Sequence, residues 1–322
     1  MHRRKLGHTD IQLSEIGLGT WGLSGAYGHL EEKIARTTIE TALEEGVTTI
    51  DLSPLWGEGE IEEWVGDAIK ERKREEVELI VRSGAVWDGD SVKHRFDPES
   101  LRRDLEGSLE RLGTDHADVW LLHEPGAGAL DLPDGDDAKE DEEDLYTFCQ
   151  SLVDEGLIKV WGVSTSHVGN VRTVLSHGAK AICLPYNILH SDDLQDLEAE
   201  LALAGAGVLA RSPLFHGLLA GRWTQYRQFA DDDHRRARWT QQALAIRVRQ
   251  LNQLRYLVHD DVSNLATAAV RYVLLSSVVS SCLLGARRPI QIRNATGMAG
   301  EPPYLPDDDV ERLGHVLSDA GA

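Results

Sequence analysis

Cysteine is scarce in this sequence. Its 322 residues include three cysteines, Cys149, Cys183 and Cys282. An odd number at these spacings matches neither a disulfide framework nor a zinc-binding motif. We therefore expect reduced thiols packed in the core and no metal site.

Long apolar runs are missing as well. A membrane-spanning helix needs about 18 or more consecutive apolar residues, and no stretch approaches that length. The opening residues Met1 to Lys5 are basic, but a mixed polar segment follows them instead of an apolar one, so no secretory signal is indicated. These absences predict a cytoplasmic protein.

Positive charge is the third deficit. The chain has 33 lysines and arginines against 54 aspartates and glutamates, a formal net charge of −21. Such a surface repels phosphate backbones and anionic lipid headgroups. Nucleic acid and membrane are therefore not expected as partners, and the oligomeric state is not indicated.

A regular alternation of short apolar runs with longer amphipathic stretches predicts βα units and a parallel sheet. No GxGxxG phosphate turn follows the first run, which disfavours an open doubly wound sheet. Eight units in one domain, residues 1–322, favour an α/β fold of the (β/α)₈ TIM-barrel class with an N-terminal β-hairpin and extended βα loops. The predicted strands are Glu15 to Thr20, Val47 to Leu52, Val77 to Arg82, Ala117 to His123, Ile158 to Ser164, Ala181 to Tyr186, Gly207 to Ser212 and Val278 to Gly285.

Apolar residues at helical spacing predict helices between these strands. They are Ile34 to Glu45, Ile61 to Arg72, Pro98 to Leu112, Asp141 to Glu155 and Leu265 to Leu275. Two charged stretches, Gly126 to Asp144 and Trp223 to Arg238, follow strand ends and are predicted as insertions over the active face, either substrate walls or solvated loops.

Chemistry in such barrels takes place where strands end and βα loops begin. The polar side chains at these ends are Asp51, Arg82, His123, Ser164 and Arg211. These five residues are the first candidates for an active site.

Several motifs resemble those of the aldo-keto reductase superfamily, in particular its bacterial members. The segment Ile50-Asp51-Leu52-Ser53-Pro54-Leu55-Trp56-Gly57-Glu58-Gly59, with Glu62 and Gly66, looks like the family signature. Further resemblances recur in order along nearly the whole chain: Gly17 to Trp21, Leu121 to Pro125, Gly162 to Ser164, Arg211 to Leu214, Gly217 to Gly221, and Gly285 to Arg287 with Gln291.

The resemblance implies a catalytic tetrad of Asp, Tyr, Lys and His, in which the phenol protonates the carbonyl oxygen as hydride arrives from a nicotinamide cofactor. The Asp and His positions hold Asp51 and His123, whereas the Tyr and Lys positions hold Trp56 and Arg82. An indole N–H donates a hydrogen bond but no proton near neutral pH, so ordinary reduction should be slowed. His123 is then the best remaining candidate for a general acid.

A plainer interpretation stays open. Asp51 and Arg82 would form a structural ion pair at the barrel mouth, and Trp56 would only fill the pocket.

The resemblance also implies a cofactor site. Ser164, Thr165 and Cys183 stand where family members hold the nicotinamide carboxamide, and Arg211 stands where a side chain stacks on the ring. Arg287 stands where members bind the 2′-phosphate, which favours NADP over NAD. The other positions assigned to this site are Gly19, Thr20, Trp21, Ser212, Leu214, Gly217, Gly285, Gln291 and Asn294.

Three functions follow as expectations. The chain is an NADP(H)-dependent oxidoreductase for a small carbonyl or alcohol, a barrel redirected to an elimination, isomerisation or cyclisation, or a catalytically silent protein that binds the cofactor or another ligand.

Overall fold

The computed structural model describes residues 1–89, 91–126, 129–130 and 144–319. Most of the predicted acidic insertion, Gly126 to Asp144, lies outside the described residues, as does the end of the predicted domain after residue 319.

A closed barrel of eight parallel strands forms the centre of the molecule and confirms the predicted fold class. An antiparallel hairpin of β1 (Arg3–Lys5) and β2 (Gln12–Ser14) precedes it, as predicted. The barrel strands, in order around the ring, are β3 (Ile16–Gly19), β4 (Thr49–Asp51), β5 (Glu78–Ser83), β8 (Ala117–His123), β9 (Ile158–Ser164), β10 (Ala181–Pro185), β11 (Gly207–Arg211) and β12 (Val279–Gly285). Each coincides with one of the eight predicted runs.

Helices surround the barrel, and α3 and α9 have the predicted bounds. The helices are α1 (Glu32–Glu44), α2 (Glu60–Ile69), α3 (Pro98–Leu112), α4 (Leu145–Asp154), α5 (Val168–Ser176), α6 (Asp192–Ala204), α7 (Arg235–Arg238), α8 (Gln241–Gln253), α9 (Leu265–Leu275), α10 (Pro289–Thr296) and α11 (Asp307–Asp319). Side-chain caps fix several starts: Asp97 accepts a hydrogen bond from the Ser100 N–H at 2.9 Å before α3, and Asn264 accepts one from Thr267 at 3.0 Å before α9.

Two hydrophobic layers stabilise the fold. The larger lies between the strands and the helices, and the smaller fills the inside of the barrel. Leu6, Ile11 and Leu13 of the N-terminal hairpin belong to the inner layer, together with Ile80 and Leu121. The hairpin therefore closes the amino-terminal end of the barrel, and a ligand reaches the interior from the carboxyl-terminal end.

The strands approach one another closely at Gly162 of β9. A β-carbon at this position would lie 1.6 Å from the carbonyl oxygen of Ala181 on β10. Only glycine fits this contact, which accounts for the glycine of the Gly162-Val163-Ser164 motif.

Two segments build up the carboxyl-terminal face beyond the barrel. A hairpin of β6 (Ala85–Asp88) and β7 (Ser91–His94), absent from the sequence prediction, follows β5. The predicted insertion Trp223 to Arg238 crosses to the loop after β3, where the His234 N–H donates to the Ala26 carbonyl at 3.0 Å and the His29 N–H donates to Asp232 at 3.1 Å. These contacts place the insertion at the active face.

Across the described ranges, no helix combines the length and the apolar character needed to span a membrane. The same ranges contain no group of three or more potential metal-ligating side chains.

Candidate functional site

A cavity of about 590 Å³ opens at the carboxyl-terminal end of the barrel, a size typical of small-molecule sites. Its lining includes the four positions that the tetrad resemblance assigns: Asp51, Trp56, Arg82 and His123. The geometry brings these four side chains to one rim of the barrel, together with Arg211, whereas Ser164 lies outside the lining.

Asp51 and Arg82 form a two-point ion pair at the base of the cavity. The Arg82 Nη2 lies 2.7 Å from Oδ1 and 2.9 Å from Oδ2 of Asp51, and Nε donates to Oδ1 at 3.0 Å. Both residues are buried. Burial disfavours the charge on Arg82, but the attraction of Asp51 outweighs it and raises the pKa of the guanidinium, so the cation is permanent.

The remaining donors of Arg82 are directed across the barrel interior. Nη1 donates to the Ser164 hydroxyl at 2.5 Å, and Nη2 lies 3.4 Å from the Cys183 sulfur. Ser164 and Cys183 are neighbours in the register of β9 and β10. The guanidinium therefore binds two of the residues that the family resemblance assigned to the nicotinamide carboxamide.

Trp56 lies between Arg82 and His123. The guanidinium carbon of Arg82 is 5.0 Å from the centre of the Trp56 ring, a cation–π contact. The imidazole of His123 meets the same indole edge-on, with ring centres 5.9 Å apart and planes at 89°. The turn after Trp56 has left-handed backbone at Gly57, Glu58 and Gly59, where the two glycines of the signature relieve strain.

A hydrogen bond from Ser53 orients His123. The Ser53 hydroxyl lies 3.1 Å from Nδ1 of His123 and accepts a hydrogen bond from the Leu55 N–H at 3.2 Å. A hydroxyl that donates to Nδ1 leaves the imidazole proton on Nε2. Burial, reinforced by Arg82 and Arg211, lowers the pKa of His123 well below its ordinary value. The ring is therefore neutral at physiological pH.

The residues assigned to a cofactor fall into three groups. Those that line the cavity are Gly19, Trp21, Arg211, Ser212, Leu214, Gly217, Gly285, Arg287 and Gln291. Thr20, Ser164, Thr165 and Cys183 are fully buried beneath it, and Asn294 is exposed on α10 outside the lining.

Arg287 is already engaged by the loop after β3. Its guanidinium donates to the backbone carbonyls of Tyr27 at 2.9 Å, Gly28 at 2.5 Å and His29 at 3.0 Å. Gln291 accepts from the Arg287 backbone N–H at 2.8 Å. Burial, followed by the nearby charge of Arg235, lowers the pKa of Arg287, while Asp233 and Asp232 oppose this shift.

Sequence reasoning missed several lining residues: Tyr27, Glu124, His216, Arg235 and Arg238. The position of Glu124 directly after His123 could have singled it out. The basic run at 235–238 was noticed as part of an insertion, but nothing local indicated that Arg235 and Arg238 turn into the cavity. Trp21, Tyr27, His216 and His234 form a ring cluster there, with Trp21 and His234 centres 4.6 Å apart.

The lining is electropositive although the chain is acidic. Among the residues that the structure describes, five arginines line the cavity, at positions 82, 211, 235, 238 and 287, against the carboxylates of Asp51 and Glu124. The Nε atoms of Arg211 and Arg287 are buried without a hydrogen-bond partner. Unpaired buried donors beside an excess of cations fit a phosphate-bearing ligand such as a nicotinamide dinucleotide.

Comparison with known proteins identifies the family of this chain. The sequence model of the Aldo/keto reductase family matches residues 15–317. The chain is 29% identical to the Bacillus subtilis "Aldo-keto reductase YhdN" over 93% of its own length and 89% of the relative. It is 30% identical to the Escherichia coli "NADH-specific methylglyoxal reductase" over 91% of its length and 92% of that protein.

Solved structures agree with the fold. The glycerol dehydrogenase AKR11B4 of Gluconobacter oxydans superposes with a TM-score of 0.83 at 26% identity, covering 99% of this chain and 95% of the other. The aldo-keto reductase AKR11C1 of Bacillus halodurans in its holo form gives 0.80 at 23% identity, with coverage of 98% and 96%.

Proposed function

Because the chain belongs to the aldo/keto reductase family, whose members are oxidoreductases that use nicotinamide cofactors, we propose that it is an NADP(H)-dependent oxidoreductase of a small carbonyl or alcohol. We further propose that Asp51, Trp56, Arg82 and His123 form its catalytic group, with Trp56 and Arg82 at the Tyr and Lys positions. We place it in the cytoplasm.

The single observation that carries this proposal is the concentration of arginines in one cavity of a chain with a net charge of −21. Arg211, Arg238 and Arg287 would hold the phosphates and the nicotinamide end, together with the backbone of the Leu214 to Gly217 turn. The bound dinucleotide supplies or accepts a hydride.

The preference for the phosphorylated dinucleotide rests on Arg238. It lines the cavity and is exposed, and no described residue forms a hydrogen bond or ion pair with it. A guanidinium free to bind an extra phosphate favours NADP(H), since a charge-assisted hydrogen bond contributes about 1.5–3 kcal/mol.

Trp56 and His123 would act on the reacting oxygen. The indole N–H and the Nε2–H of His123 are neutral donors beside the fixed charge of Arg82. Such a pair polarises a carbonyl and stabilises negative charge on its oxygen, but neither group releases a proton at neutral pH. His123 is thus proposed as an electrostatic donor and not as the general acid that the sequence favoured.

A second candidate function rests on the Arg82 contacts. The guanidinium donates to Asp51, Ser164 and Cys183, and the Trp56 ring lies over its face. A site so tightly bound internally also suits a protein that binds the dinucleotide without turnover, or a barrel redirected to another reaction.

The test combines binding with turnover. NADPH and NADH are titrated by fluorescence, and oxidation or reduction of the dinucleotide is followed with a panel of aldehydes, quinones and alcohols. We expect NADPH to bind about tenfold more tightly than NADH and at least one substrate to turn over. Binding without turnover favours the second candidate, and no binding refutes the cofactor assignment.

A further inference from the structure

The catalytic group lacks a side chain that can exchange a proton. Trp56 has no acidic proton, Asp51 is bound on both oxygens by Arg82, and His123 is buried and neutral. Redox chemistry at a hydroxyl or carbonyl nevertheless moves one proton for each hydride. The proton therefore passes either to another side chain or directly to water.

Glu124 is the one other carboxylate among the described residues of the lining. It directly follows His123 at the carboxyl end of β8, and its backbone N–H donates to the Ser164 carbonyl at 2.8 Å. Its φ is +48°, a left-handed conformation that a glutamate rarely adopts. Strained backbone of this kind is concentrated at functional sites, where the fold holds a side chain in a required position.

One oxygen of Glu124 is fixed and the other is available. Oε1 accepts from Nη2 of Arg211 at 2.6 Å, and the same nitrogen donates to the Ser166 hydroxyl at 2.7 Å. In the described part of the chain Oε2 has no hydrogen-bond partner, and the side chain is 37% exposed. An arginine therefore orients the carboxylate, and its second oxygen is left unbonded on a partly exposed side chain of the lining.

We propose that Glu124 is the proton-transfer residue of this site; the inference rests on the proposed function. In the oxidation of an alcohol, the O–H bond breaks and its proton passes to the Glu124 carboxylate. The hydrogen of the adjacent C–H bond leaves with the electron pair of that bond, as hydride to the oxidised nicotinamide dinucleotide, and the electron pair left on oxygen forms the C=O bond. The proton then leaves Glu124 for solvent, and reduction follows the same path in reverse.

The neighbouring groups suit this division of work. Trp56 and His123 donate hydrogen bonds to the oxygen, which turns the hydroxyl proton away from them, and Arg211 holds the carboxylate that receives it. Removal of a general base typically lowers the reaction rate by about 10²–10⁴-fold.

The experiment uses Glu124→Gln, which keeps shape and removes the acceptor, with Glu155→Gln as a matched control. Glu155 is also paired with an arginine at 2.6 Å, Arg102, but lies outside the cavity lining. We expect E124Q to lower kcat at least about 100-fold with the Kd for NADPH, measured by fluorescence, within about threefold of wild type. E155Q should match the wild type in both.

A second variant separates proton transfer from structure. Glu124→Ala leaves space for a small carboxylate, so added formate should restore part of its activity, and formate should not stimulate E124Q or the wild type. Three results would overturn this inference alone: E124Q retains turnover, E124Q loses NADPH affinity while its kcat is unchanged, or formate does not raise the activity of E124A. If the wild type turns over no substrate, the proposed function fails, and this inference with it.

Discussion

Arg82 binds both carboxylate oxygens of Asp51, with its Nη2 at 2.7 and 2.9 Å and its Nε at 3.0 Å from the nearer oxygen. A lysine ammonium at position 82 is a point charge without this planar fork, so it would lose part of the two-point contact with Asp51. The two-point contact, with the Trp56 ring 5.0 Å from the guanidinium, makes the pair a matched unit. Residues 56 and 82 are therefore best exchanged together.

The double variant Trp56→Tyr, Arg82→Lys should raise carbonyl reduction. It introduces a phenol that can release a proton and a neighbouring ammonium that favours the ionised phenol, a combination worth about 100-fold in rate. The measurement is NADPH oxidation at saturating aldehyde, at pH 7.

Trp56→Phe with Arg82→Lys is the control, since it makes similar space without a proton donor. Equal activity in the two double variants, with NADPH still bound, would show that residue 56 does not approach the reacting oxygen.

Arg238→Ala should weaken NADPH binding about tenfold and change NADH binding by less than about threefold, because it removes one charge-assisted contact to the additional phosphate. Arg236→Ala is the matched control: it lies in the same short helix, but it is paired with Asp231 and does not line the cavity. Fluorescence titration of both dinucleotides measures the effect. Equal losses for NADPH and NADH would assign Arg238 to a phosphate that the two cofactors share.

Acid should destabilise the protein through His123. Burial holds its folded-state pKa well below the ordinary 6.5, so between these two values the unfolded chain binds a proton that the folded chain does not. The free energy of unfolding therefore falls, as pH drops below about 6.5, by about 1.4 kcal/mol per pH unit from this group.

Urea unfolding of the wild type and His123→Gln at several pH values between about 7.5 and 5 measures this difference. The variant should lose stability less steeply on acidification. Ser53→Ala removes the hydrogen bond to the ring but keeps its titration, so its slope should match the wild type. Parallel curves for wild type and His123→Gln would mean that His123 takes up its proton at the same pH in the folded and unfolded states, which would contradict this prediction.

Much of the barrel was predictable because parallel strands covered on both faces appear as short, nearly continuous apolar runs, such as Val77 to Arg82. Asp51 ends a strand and Trp56 lies in the turn that follows, so their spacing likewise predicted that both lie at the same rim of the barrel. The hairpin of β6 and β7 escaped prediction because its strands are largely exposed and carry no clear alternation.

It was harder to predict which side chains line the cavity and which are buried beneath it. The resemblance assigns Ser164 and Cys183 to a cofactor, and the structure buries both of them against Arg82, outside the cavity lining. Glu124 depends on a left-handed backbone, and Arg238 on an insertion that folds back over 200 residues of chain to meet Ala26. Contacts so distant in sequence leave no periodic signal.

The segregation of charge between the acidic exterior and the arginine-lined cavity has a consequence for ligand traffic. At long range the net negative field repels an anion, and salt screens that field beyond about 8–10 Å, so encounter becomes faster as ionic strength rises. At contact the arginines attract, and salt weakens that hold, so departure becomes faster too. Higher ionic strength therefore speeds both the association and the dissociation of an anionic ligand.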